Sequence, residues 1–303
     1  MRKTIYGYPL HFYIAVTCIS VVAVALSTAF FMWFFGWAPP VYGLEDAKTS
    51  YIAAPQQPQT EATTYYYDHD LNDAQKKAYV KIEEAMRVMA DGVYLDEPLS
   101  VLETTSTCNA VVCDNPDIFW CAQNGVKYAE NRSGVCMLKF AYTCSPEEAT
   151  AKAASFEEKT RDALSTIGGE NTTAKAKAIA QYVTDNTDYV DGDLAHSIEG
   201  VIGEGQAVCS GYSNAVKYMC DLEGIPCVYV HGYIGADPFS NHAWNEIHAD
   251  GAVYSVDATW HESTDADPDW FSADTKKFRK SRTPSFAGVF DDFENVLSAG
   301  KTI

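Results

Sequence analysis

Basic residues are scarce in this chain: 22 Lys and Arg stand against 41 Asp and Glu in 303 residues, a net charge of −19. So acidic a surface repels phosphates instead of displacing their counterions, which excludes the nucleic-acid-binding classes. Close cysteine pairing is missing too. Nine cysteines occur, yet none forms a Cys-x-x-Cys pair, the spacing structural zinc usually shows. Neither acidic stretch, 185–193 or 265–269, combines three acidic positions with the following glycine and closing glutamate of a calcium loop, and both read as solvated loops. No metal is expected, and His196, His231, His248 and His261 read as surface or packed residues. What the chain does have is 47% hydrophobic and 13% aromatic residues, which excludes a disordered chain.

Charge is also rare at the start. The first 38 residues hold only Arg2 and Lys3, and residues 12–35 carry none. As a helix that run would span ~36 Å, enough for ~30 Å of hydrocarbon. It exceeds the ~7–15 residues of a secretory apolar region. Trp33 and Trp37 fit an interface belt, and Pro39-Pro40 would stop the helix. The expectation is a cytoplasmic segment at 1–11, a single-pass membrane anchor at 12–37 and an extracellular remainder. Secretion after signal cleavage is the alternative. Outside the cell disulfides persist, so the cysteine number fits that compartment. Apart from Cys18, eight cysteines could form four bridges, or three if one is a catalytic thiol.

Residues 38–68, rich in Pro, Gln and Thr, read as a low-complexity linker. Two further parts are expected: an N-terminal α/β part at 69–144, and a catalytic core with a C-terminal extension at 145–303. Apolar steps at Ala74, Ala78, Ile82, Met86 and Met89 predict a helix over 71–89. Short strands are predicted at 117–120, 125–128 and 135–142. Ser145, Pro146 and Glu148 form a helix-start signature, predicting a helix to about Ile167. A second helix is predicted from about Thr173 to about Asn186.

The chemistry lies further on. After a glycine-rich turn, Cys209 opens a helical pattern carried by Tyr212, Ala215, Val216 and Met219 and ended by Gly224 and Pro226. A cysteine at a helix N-terminus sits at the positive end of the dipole, which favours the thiolate. Downstream, Asp250-Gly251 divides two alternating runs, a hairpin signal. With these two as the loop, Trp244 faces Asp257, and His242 and Asp257 become diagonal neighbours on one face, within hydrogen-bond reach. A three-residue loop would put them on opposite faces. A thiol with a His–Asp pair is the set a cysteine nucleophile needs: the imidazole takes the thiol proton and returns it to the leaving amine, and the carboxylate orients the ring.

Four motifs in order carry a family resemblance. They are Gly205-Gln-Ala-Val-Cys209-Ser-Gly-Tyr-Ser; Gly224-Ile-Pro with Val230-His-Gly232; His242-Ala-Trp-Asn-Glu; and Val256-Asp257-Ala-Thr-Trp. The chain resembles the transglutaminase-like superfamily, firmly over about 173–260, as a membrane-anchored member of bacterial type. The resemblance implies an α+β fold with a papain-like core, its nucleophile helix packed on an antiparallel sheet, and a Cys-His-Asp triad on Cys209, His242 and Asp257. The crosslinking enzymes of the family carry Gln-Cys-Trp at the nucleophile, whereas Val208-Cys209-Ser210 stands here. The oxyanion donor is therefore open: the Cys209 backbone N–H first, with Gln206 and Trp244 as side-chain candidates. Cys220 and Cys227 are a possible disulfide, stapling the nucleophile helix to the next strand.

The expected function is acyl transfer or hydrolysis on protein or peptide amides at the cell surface, through a thioester and without a cofactor. The alternative is a non-catalytic, disulfide-stapled binding or scaffold module on the same fold.

Overall fold

The computed structural model describes residues 64–235, 240–260 and 270–284, together with the paired strands β1 (Thr4–Ile5) and β2 (Tyr8–Pro9). Met1–Lys48 and Thr49–Ile303 form separate compact units. The anchor expected at 12–37 lies outside the described residues, among which no helix is long and apolar enough to cross a membrane.

The larger unit is α+β. It opens with helix α1 (Tyr65–His69), where the sequence reads as linker. Tyr65 and Tyr66 are buried, and the Tyr66 hydroxyl donates to the Tyr229 carbonyl at 2.6 Å. Aromatic packing thus takes the end of the expected linker into the core.

Helix α2 (Asp73–Arg87) falls inside the predicted span and buries Ala78, Ile82 and Met86. Asn72 caps it, accepting from the Ala74 and Gln75 N–H groups, while Gln75 reaches back to the Asn72 N–H. Strand β3 (Gly92–Leu99) follows, then helix α3 (Val101–Asp114), which the hydrophobic pattern did not predict although Ser100 and Glu103 box its start. Its buried face is Thr104, Thr107, Cys108, Ala110 and Val111, small or polar side chains that blur an amphipathic period. The strand predicted at 117–120 is instead a buried loop. Ile118, Phe119 and Trp120 fill the core there, and the Trp120 indole donates to the Met86 carbonyl at 2.9 Å. Strands β4 (Cys121–Asn131) and β5 (Gly134–Tyr142) complete a three-stranded sheet ordered β3-β5-β4.

Helix α4 (Pro146–Thr166) begins with the anticipated capping box. The Glu148 N–H donates to the Ser145 hydroxyl at 3.3 Å, and the Ser145 N–H donates to the Glu148 carboxylate at 2.9 Å. Helix α5 (Thr172–Asp185) is capped by Asn171. Two short strands, β6 (Asp188–Tyr189) and β7 (Gln206–Ala207), pair in parallel around a π-helical turn at Glu199–Glu204. Helix α6 (Cys209–Leu222) follows and ends at Gly224, whose φ of 67° is left-handed.

The main sheet is antiparallel, ordered β11-β10-β9-β8-β12, with β8 (Cys227–Ile234), β9 (Asn241–Ala249), β10 (Ala252–Val256), β11 (Phe271–Ser272) and β12 (Arg282–Pro284). Helix α7 (Thr275–Phe278) leads into β12. Tyr66, Trp120, Val228, Val230, Trp244 and Phe278 share one apolar cluster, so the segment before α4 packs on the main sheet. A second cluster joins Ile179 and Val183 of α5, Val216 and Met219 of α6, and Ile247 and Val256 of the sheet. That double packing holds α6 against the strands and positions its N-terminus.

Candidate active site

Cys209 is the first residue of α6, and the helix has no side-chain N-cap. The thiol therefore meets the positive end of the helix with first-turn N–H groups at hand. Gly211 permits this placement, because a Cβ there would run into the Ala195 carbonyl and the Ala207 methyl.

The β9–β10 hairpin closes on Asp250 and Gly251, with φ of 50° and 80°, the positive values a two-residue turn of this kind demands. Ala249 pairs with Ala252 and Asn245 with Val256. In that register His242 Nε2 lies 2.8 Å from Asp257 Oδ2. His242 also hydrogen-bonds the Cys209 thiol. With Nε2 engaged by the carboxylate, Nδ1 is the nitrogen left for sulfur.

Asp257 is fully buried and its oxygens are shared out. Oδ2 also accepts from Arg282 Nε at 2.6 Å, and Oδ1 accepts from the Thr259 hydroxyl at 2.7 Å. The Arg282 guanidinium, 1% exposed, lies 4.1 Å from the Phe278 ring centre and 4.7 Å from that of Trp260. Tyr189 arrives through the β6–β7 pair, where it sits opposite Ala207. Its hydroxyl accepts the Cys209 backbone N–H and hydrogen-bonds the thiol.

These contacts set the protonation states. For Cys209, burial alone would raise the thiol. The hydrogen bond and charge of His242, the Ala243 backbone N–H and Tyr189 outweigh it, and the thiol falls below its ordinary value. Burial likewise opposes the charged form of His242, but the bonds to Asp257 and Cys209 win and raise the imidazole to about 9. Asp257 is depressed despite its burial, first by the His242 hydrogen bond and charge, then by Arg282 and Thr259. Both shifts act in favour of a thiolate–imidazolium pair, the reactive form of a cysteine nucleophile.

The other site residues fall differently. Gln206 is exposed, its backbone paired with Asp188. Trp244 is fully buried behind the imidazole, its ring 6.2 Å from that of His242 and packed on Phe278. The group against the Cys209 N–H is instead the Tyr189 hydroxyl. The Cys220–Cys227 bridge is not formed: both stand as buried thiols in hydrogen-bonding contact. None of the expected three or four bridges is formed among the eight described cysteines. Among the described residues no cluster of His, Cys, Asp and Glu could hold a metal.

Arg282, Tyr189 and Thr259 went unnoticed in the sequence. Thr259 sits inside the Val256-Asp257-Ala-Thr-Trp motif and could have been found there. Arg282 stands 25 residues beyond Asp257 with no local pattern, and Tyr189 lies in an acidic stretch that reads as loop.

A thiol on a helix tip, bonded to an imidazole that is oriented by a buried carboxylate on a sheet, is an arrangement suited to cysteine acyl-transfer chemistry. Residues 161–275 match the family model described as the transglutaminase-like superfamily; the match spans all three residues of the constellation. The kyphoscoliosis peptidases of Mus musculus and Homo sapiens are each 36% identical over 61 residues, 17% of this chain and 9% of theirs. The chain thus spans about 9% of the length of these curated relatives. Among solved structures, one from Cytophaga hutchinsonii named as a cysteine protease is 27% identical, covering 34% of this chain and 37% of its own, with a TM-score of 0.31. A structure named as a TGase is 17% identical over 57% of this chain and 51% of its own, with a TM-score of 0.33.

Proposed function

We propose that the chain is a cysteine enzyme of acyl transfer or hydrolysis, acting on protein or peptide amides through Cys209, His242 and Asp257. The observation that carries this reading is the hydrogen-bonded series from thiol to imidazole to buried carboxylate, closed at 2.8 Å between His242 and Asp257. A scaffold module would have no use for a free nucleophile at an uncapped helix tip, and a bridged Cys209 would have favoured that alternative. Cys209 is a free thiol.

In the proposed reaction the Cys209 thiolate attacks the carbonyl carbon of an amide. A C–S bond forms and the carbonyl π electrons move onto oxygen. The Cys209 backbone N–H is the donor placed for that oxyanion, so the Tyr189 hydroxyl has to leave it when substrate enters. Collapse breaks the C–N bond, and the His242 imidazolium gives its proton to the departing nitrogen. The thioester then passes its acyl group to water or to an amine, with His242 taking the proton of the incoming nucleophile. Both outcomes use the same residues. The family match supports this class of chemistry, and no cofactor enters any step.

The charge-free run at 12–35 supports a membrane-tethered protein whose described part faces protein or peptide substrates outside the cell. The test of the chemistry is iodoacetamide labelling of Cys209 against pH, followed by peptide mass spectrometry, with His242→Ala alongside. Labelling that stays fast well below pH 8 and slows with the variant is the expected result. Ordinary thiol behaviour indifferent to His242 would sink the proposal.

A further inference from the structure

A cavity of about 460 Å³ lies beside the nucleophile helix, within the ~300–1,000 Å³ typical of small-ligand pockets. One end is bounded by Ser210 and Asn214, one turn apart on α6, and by His196. That end is tied down: His196 Nδ1 lies 3.0 Å from the Ser210 hydroxyl, and the Asn214 amide donates to the His196 carbonyl at 3.1 Å. The cavity therefore begins one residue from Cys209 and keeps a set position relative to it.

The opposite side comes from outside residues 161–275. Helix α3 contributes Thr105, Cys108, Asn109 and Val112, successive positions on one helical face, and Phe119 and Tyr128 add aromatic surface. No Asp, Glu, Lys or Arg lines the cavity among the described residues, although the chain carries 63 of them. Burial pushes the Cys108 and Cys121 thiols up to about 12, so these two stay protonated at neutral pH. Away from the His196 end, a charged group entering the cavity would lose its water without gaining an ionic partner, whereas an apolar one would be sheltered.

We propose that this cavity, between α3 and the first turns of α6, binds an uncharged apolar or aromatic side chain of the amide substrate and selects the acyl donor. The role as acyl-donor subsite rests on the proposed cysteine chemistry, but occupancy can be measured without it. The probes are N-acetyl-Xaa-Gln-amide peptides with Phe, Leu, Asp or Lys at Xaa, titrated calorimetrically into full-chain Cys209→Ala. The Phe and Leu peptides should bind at least about tenfold more tightly than the Asp and Lys peptides. Adding Val112→Phe, which fills the cavity from the α3 wall, should abolish that preference. Thr105→Trp, at the exposed rim, should do the same and decides the matter if Val112→Phe fails to fold.

Equal affinities across the four peptides, or a preference that survives both substitutions, would overturn the subsite. Iodoacetamide labelling of the wild-type chain reads the catalytic proposal separately. Peptide preference with an unreactive thiol keeps the pocket and removes the enzyme. A reactive thiol without preference does the reverse.

Discussion

Replacing Arg282 by Met tests whether the buried ion pair behind the imidazole stabilises the fold as a unit. The guanidinium and Asp257 are 1% and 0% exposed and meet at 2.6 Å. Deleting one partner leaves a buried carboxylate with only His242 and Thr259 to compensate it, which typically costs ~3–5 kcal/mol. Loss of the stacking on Phe278 and Trp260 accounts for ~0.5–2 kcal/mol of packing-type interaction. In an Asp257→Asn background the carboxylate charge is gone, and only this second part should remain. Urea unfolding at pH 7 of the wild type, both single variants and the double variant forms the complete cycle. The expected coupling energy is at least ~1.5 kcal/mol, with the Arg282→Met midpoint lower by more than ~1 M. Additivity to within ~0.5 kcal/mol would refute the reasoning, because the two side chains would then not be sensing each other.

Tyr189→Phe removes one of the hydrogen bonds that hold the Cys209 thiol below its ordinary value; one such bond at ~1 kcal/mol implies about fivefold slower iodoacetamide labelling of Cys209 below pH 8. Unchanged labelling would show that the hydroxyl does not sense the thiol. Lys217 and Asp221 form a second buried pair, at 2.9 Å and 0% and 4% side-chain exposure, so Lys217→Met should cost ~3–5 kcal/mol in urea unfolding and Lys217→Met with Asp221→Leu distinctly less. Gly232→Ala should destabilise by at least ~2 kcal/mol, since a Cβ there meets the Thr283 carbonyl and the Trp244 ring edge; a thermal midpoint within a degree of wild type would count against the close β8–β12 approach. For pH, the depressed Asp257 contributes stability that is present above ~4 and lost as pH falls through its lower folded value. The raised His242 contributes stability that is full below ~6.5 and lost as pH rises through about 9. Depression of Cys209 acts in the opposite direction there, so Cys209→Ala should lose stability more steeply than wild type between pH 6.5 and 9, read by urea midpoints.

What the sequence determined is what short-range physics determines. A Ser145–Glu148 capping box closes within four residues, so the start of α4 was legible, as was the end of α6 at Gly224. Asp250-Gly251 sets a two-residue loop, that loop sets the register, and the register brings His242 to Asp257 although 15 positions separate them. Fold class and the three residues of the proposed triad followed from such local rules together with the ordered motifs. A local start signal is not enough where the apolar period is missing. Ser100 and Glu103 box the start of helix α3, but its buried face is hidden in Thr, Cys and Ala. The 117–120 run is apolar enough for a strand, but the Trp120 indole donates to the Met86 carbonyl and holds the segment as a loop.

Other features were decided by tertiary structure alone. Arg282 reaches Asp257 because β12 pairs with β8, placing Arg282 opposite Ile234. Tyr189 reaches Cys209 because β6 pairs in parallel with β7. Cys220 and Cys227 meet in the core as thiols, and the cavity exists only because α3 packs across from α6. Each of these depends on segments distant in the chain whose closeness no periodicity, cap or turn encodes. Burial then converts that closeness into chemistry, by removing the water that would otherwise screen a carboxylate, an imidazole and a thiol from one another.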